Sequence, residues 1–66
     1  MNLKKYFVGE PYGAKKEMAD YLGISLTYLG LLQRKARRPS AELAKKIEKA
    51  TQGLVTRKEL RPDLFD

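Results

Sequence analysis

Between Lys15 and Arg34 the sequence leaves room for little except two short helices joined by one tight turn. Ala14, Met18, Ala19 and Leu22 form an apolar stripe at helical spacing, with Lys15, Lys16, Glu17 and Asp20 on the other side. Gly23 closes this helix, where a helix end commonly turns through positive φ. Ile24 follows as a plug for the corner, and Ser25 is placed to cap a second helix over roughly Leu26 to Arg34. Leu29 and Leu32, one turn apart, would pin that helix to the first, and Ala19 is small enough to let the two approach. Each feature is common alone. Together they have the spacing of a helix-turn-helix over about residues 15–34, with an ordinary αα-hairpin as the alternative.

The rest of the 66-residue chain is punctuated in the same way. Asn2 can cap a first turn or two through Phe7, and the Gly- and Pro-containing run from Val8 to Gly13 breaks it. Ser40 caps a fourth helix ending near Thr51, with Leu43, Ala44, Ile47 and Ala50 inward and Gly53 as its stop. Thr56 and Glu59 have capping-box spacing, which predicts a fifth short helix before Pro62. Leu54-Val55-Thr56 is the one β-like run, too short for a sheet. The expected fold is all-α: one five-helix domain over residues 1–66, with Leu3, Phe7, Met18, Ala19, Leu22, Ile24, Leu29, Leu32, Leu43, Ile47 and Ala50 as its core.

Function classes narrow quickly. The chain has no Cys and no His, so disulfides, thiolate metal sites and the usual general base are absent from the inventory. The acids Glu10, Glu17, Asp20, Glu42, Glu48, Glu59, Asp63 and Asp66 lie beside Lys or Arg in the manner of surface pairs. Neither an enzyme, a metal site nor a cofactor is expected. No apolar run approaches the roughly 20 residues needed to span a bilayer, and the first residues carry no apolar signal region, so a soluble, cytoplasmic chain is expected. The net charge is +6, and residues 23–39 hold Arg34, Lys35, Arg37 and Arg38 without one acid, four of those six charges. A basic segment immediately after the second helix of the motif lies where duplex phosphates would run.

At these residues the chain resembles a known family. Tyr21-Leu22-Gly23-Ile24-Ser25, Tyr28-Leu29 and Arg37-Arg38-Pro39-Ser40 are similar to the Cro-like phage repressors and their prophage relatives, the YdaS-type antitoxins and regulators. Ile47-Glu48-Lys49-Ala50-Thr51, Gly53, Val55-Thr56-Arg57 and Glu59-Leu60-Arg61-Pro62-Asp63-Leu64-Phe65 extend the similarity over nearly the whole chain. The resemblance implies a five-helix domain that lays its third helix in the major groove of double-stranded DNA and regulates transcription. It also implies, as an alternative, an antitoxin that binds DNA and a toxin partner, while Gly30 and Leu31 leave open a helical protein-interaction module that has lost specific DNA binding. Relatives usually carry Ser-Gln where this chain has Gly30-Leu31, and Gly where it has Lys35.

With that docking, Ser25, Leu26, Thr27, Gly30 and Leu31 occupy groove-facing positions as candidate base contacts. Thr27 can hydrogen-bond a base or touch a thymine methyl; Leu26 and Leu31 offer apolar contact alone. Ser25 has the competing role of cap, and Leu31 that of packing against the fourth helix or a second subunit. Lys15, Lys16, Tyr28, Arg34, Lys35, Arg37 and Arg38 are the candidate phosphate contacts. The apolar residues after the fourth helix, Leu54, Val55, Leu60, Leu64 and Phe65, are expected to divide. Some complete the core; the remainder, Phe65 foremost, form a patch for a weak homodimer.

Overall fold

A computed structural model describes residues 1–11 and 13–65. Tyr12, inside the predicted break, and Asp66, among the expected surface acids, lie outside the described residues. Among the described residues five helices follow one another: α1 (Leu3–Tyr6), α2 (Gly13–Leu22), α3 (Leu26–Gln33), α4 (Ala41–Ala50) and α5 (Arg57–Leu60). There is no strand among the described residues. The domain measures 32 × 20 × 19 Å, with α3 packed on α1 and α2, and α4 packed on α2 and α5.

Local chemistry sets the helix starts. The side-chain oxygens of Asn2, Ser25, Ser40 and Thr56 accept from the backbone N–H three residues on, at 2.8, 3.0, 3.1 and 3.1 Å. Each satisfies an amide that the first helical turn leaves without a partner. At Thr56 the Glu59 carboxylate also accepts from the Thr56 N–H at 3.4 Å, completing the capping box.

Three helices end in the same hydrogen-bond pattern. After α2 the Ile24 amide donates to the Ala19 carbonyl at 3.0 Å and the Gly23 amide to Asp20 at 3.2 Å. Ala36 and Lys35 repeat this on Leu31 and Leu32 after α3, as do Gly53 and Gln52 on Glu48 and Lys49 after α4. The pattern requires a left-handed residue just past the helix. Gly23 supplies it at φ +73°, where the space around a Cβ would be open and the backbone angle alone makes the demand. After α3 the same place is held by Lys35 at φ 61°, and after α4 by Gln52 at φ 56°. Side chains there cost roughly 1 kcal/mol or more. Lys35→Gly should therefore raise the melting temperature by about 4 °C, from a gain of about 1 kcal/mol. Thermal unfolding followed by circular dichroism checks this.

The core is a single cluster. Leu3, Phe7, Met18, Ala19, Leu22, Leu29, Leu32 and Ile47 are buried in it as the sequence predicts. Ile24, Leu43 and Ala50 are half-buried and pack on its rim rather than inside it. Val55, one of the trailing apolar residues of which some were expected to complete the core, is buried completely, and Thr51, which stands outside the predicted core, almost so. The Thr51 hydroxyl lies 2.9 Å from the Ile47 carbonyl, to which it donates, and accepts from the Val55 amide at 3.1 Å. That bracket lets the loop between α4 and α5 dive inward without orphaning a backbone amide.

Beyond α5 the chain folds back. Phe65 is half-buried, its ring flanked by the Lys45 ammonium at 6.0 Å and the Arg57 guanidinium at 5.6 Å. This corrects the expectation that Phe65 forms the exposed patch. Leu54 and Leu64 are the open ones, at 53% and 51% exposure. A carboxylate holds each junction: Glu48 takes the Arg57 guanidinium at 2.8 Å and the Arg57 amide at 3.1 Å, and Glu59 takes the Met1 ammonium at 2.8 Å. Arg57 holds the Glu48 carboxyl below its usual range, the N-terminal ammonium does so for Glu59, and hydrogen bonding from Arg61 brings Asp63 down to about 2.

All three carboxyls have folded-state values below their unfolded ones. Their stabilisation is complete above the unfolded value, about 4, and is lost as pH falls through the folded value. The melting temperature should therefore be flat from about pH 7 to 5 and fall from about pH 4 towards 2. A melting temperature that rises across that acid window would contradict these pairings.

Candidate nucleic-acid interface

The turn between α2 and α3 presents the first turn of α3 to solvent. Leu29 and Leu32 anchor the helix from beneath, at 0% and 4% exposure, while Ser25, Leu26 and Thr27 are exposed. Tyr28, Gly30 and Leu31 are half-buried. The five predicted base-contact residues are thus split: three at the open N-terminal end, two further along and partly covered. Ser25 fills its capping role, its Oγ accepting from the Tyr28 amide, and its hydroxyl hydrogen remains available for donation. Tyr28 packs against the core through its ring. Gly30 is helical with open space where a Cβ would stand.

The basic residues fall into two groups. Lys35, Arg37 and Arg38 are exposed and line one groove together with Gln33 and with Lys5 of α1. Leu32, Val55 and Leu60 lie beneath it. Arg34 is the C-cap of α3 and is also exposed. Lys15 and Lys16 sit apart on α2. The Lys15 ammonium lies 5.9 Å over the Phe7 ring, and Lys16 pairs with Asp20 at 3.6 Å across one helical turn. At the start of α2 the Ala14 amide donates to the Pro11 carbonyl at 2.9 Å, so that donor is already engaged.

Three participants escaped the sequence reading: Lys5, Arg61 and Asp63. Lys5 joins the basic groove because α1 packs on α3, and its only sequence signal was the Leu3/Phe7 spacing that turns α1 inward. Arg61 donates to the Pro39 carbonyl at 2.8 Å and forms a bidentate pair with Asp63 at 3.0 and 2.8 Å. Asp63 also stands 3.7 Å from Arg38. The segment 23–39 has no acid of its own, yet folding brings two to it: Asp63 at Arg38, and Glu59, already paired with the Met1 ammonium, in the wall of the groove. A separation of 25 residues between Arg38 and Asp63 gives no local signal for this.

A second groove, lined by Tyr6, Phe7, Met18 and Tyr21, carries Glu10 and Glu17 beside Lys49. Its mixed charge makes it a poor track for a polyanion. Among the described residues no cluster of three or more acidic side chains could hold a metal ion, and no helix is long and apolar enough to cross a membrane.

Five short helices, an exposed helix start after a glycine turn and a basic loop behind that helix are together consistent with a small helix-turn-helix domain. Residues 7–66 match the family described as "Bacterial toxin YdaS", and the chain belongs to that family. It is also 33% identical over 63 residues to a prophage transcriptional regulatory protein of Escherichia coli (strain K12), with 96% of each chain covered.

Proposed function

We propose that this protein is a prophage transcriptional regulator that binds double-stranded DNA sequence-specifically, acts as a Cro-like repressor and lays α3 in the major groove. The observation that carries this reading is the geometry of α3: an exposed start at Ser25–Thr27, a core anchor at Leu29 and Leu32, and Arg34, Lys35, Arg37 and Arg38 leaving its far end. Ser25, Leu26, Thr27, Gly30 and Leu31 face the bases; Lys15, Lys16, Tyr28 and the four basic residues after α3 face phosphates. The name of the Escherichia coli relative supports regulation of transcription. Catalysis has no place in it, in a chain without His or Cys.

Two copies bind one operator as a weak dimer, with Leu54 and Leu64 as the apolar residues after α4 left open for contact. Selection from a random duplex pool tests the whole reading. An inverted repeat with half-sites about 10 bp apart is expected; a pool that yields no enriched sequence contradicts sequence-specific binding.

Asp63 tempers the basic face in this account. Asp63→Asn releases Arg38 and removes one negative charge, so affinity for any duplex should rise, by at most about fivefold at low salt. Fluorescence anisotropy with a labelled duplex checks it, and a fall in affinity would place Asp63 in a supporting rather than a competing role. A second reading, in which the chain acts as an antitoxin with a toxin partner, draws on the word "toxin" in the family description. A thermal shift on mixing with the product of the neighbouring gene is its test.

A further inference from the structure

The exposed side of α3 is unusual for a helix that reads bases. From Leu26 to Gln33 it carries no charged side chain, and four of its eight residues are leucine. Leucines spread around more than one side of a helix are normally all covered. Here Leu29 and Leu32 are covered, whereas Leu26 stays 44% exposed and Leu31 half-exposed. The hydroxyls at this end belong to Ser25 and Thr27, and the Ser25 oxygen already accepts from the Tyr28 amide. The exposed cations Arg34, Lys35 and Arg37 at the far end of the helix supply the charge that matches a duplex as the missing cover.

A leucine cannot tell bases apart by hydrogen bonds. What it can meet in the major groove is the C5 methyl group of thymine, which cytosine lacks. 5-Methylcytosine carries the same methyl at the same ring position. We propose that α3 reads its site through pyrimidine C5 methyl groups, with Leu26 as the principal reader, so that 5-methylcytosine substitutes for thymine and cytosine methylation regulates binding. The inference rests on the DNA-binding reading above and deepens it.

The test uses the full chain and a duplex recovered by selection, made in four versions at each conserved thymine: thymine, uracil, 5-methylcytosine and cytosine, with the matching purine opposite. Thymine and 5-methylcytosine should bind within about twofold of each other. Uracil and cytosine should each bind about fourfold more weakly per contacted methyl, the equivalent of one buried methyl group. Leu26→Ala should erase these differences while its thermal unfolding stays that of the parent, since Leu26 is outside the core.

Equal binding of thymine and uracil, with both forms of cytosine weaker, would assign readout to a hydrogen bond at O4 and overturn the proposal. Equal binding of all four versions would overturn it too. So would a Leu26→Ala chain that loses self-association but keeps the methyl preference, which would give the exposed leucine to a second copy. Failure to recover any duplex in the selection is a separate result: it removes the DNA-binding reading itself, and the methyl reading with it.

Discussion

Leu29→Ala should cost about 2–5 kcal/mol of folding free energy. A chain of this size has a total stability of only about 3–10 kcal/mol, so a large share of the molecules should be unfolded at 37 °C. Leu29 is completely buried and belongs to the cluster that joins α1, α2, α4 and the Val55 loop. With Leu32 it fixes α3 to the domain from below. Alanine would leave a cavity under the helix that carries the candidate base contacts. A urea titration followed by circular dichroism measures the loss. Leu26→Ala, three residues earlier on the open side, should change stability by less than about 0.5 kcal/mol. Similar losses for the two would mean that α3 is not oriented as described.

The second large effect concerns charge. Replacing Arg37 and Arg38 together by Ala should weaken binding to all duplexes to a similar degree. The slope of log K against log salt should flatten by about 0.9 for each phosphate that the pair no longer neutralises. Both residues are exposed, and Arg38 makes a long, exposed 3.7 Å pair with Asp63, so helicity should be unaffected. An unchanged slope would move the polyanion-binding face away from the loop between α3 and α4.

These two variants mark the boundary of what the chain reveals before it is folded. The helix starts were legible because capping acts over three residues: Asn2, Ser25, Ser40 and Thr56 each meet an amide of their own first turn. The Gly23 turn was legible for the same reason. Local rules also gave most of the core, through the stripes of α1 to α4. That some apolar residues after α4 complete the core was legible, but which of them enters was not, because it depends on one side chain. Thr51 looks polar in sequence and becomes buried by bonding the Val55 amide and the Ile47 carbonyl, so Val55 can enter the core from a segment with no periodicity. Phe65 resembled a free apolar end and instead lies between two cations, 8 and 20 residues back along the chain.

The candidate site divides along the same line. The exposed start of α3 and the basic run after it follow from the motif and from charge arithmetic. The presence of Lys5 and Asp63 beside that run does not, since each comes from an element distant in sequence. Ser25 shows how one residue can satisfy both readings. Its oxygen caps α3, which a groove-facing position at the first turn permits.

With α3 and the basic loop behind it as the DNA-binding face, chemical-shift mapping locates the contact residue by residue. A selected duplex is added to the isotope-labelled protein, and the backbone amide shifts are followed through the titration. The largest changes should fall on Ser25–Leu31 and Arg34–Arg38, with smaller ones at Lys15 and Lys16, while Tyr6, Glu10 and Gln52 around the second groove stay nearly still. Largest changes around that second groove, with α3 unmoved, would contradict the account.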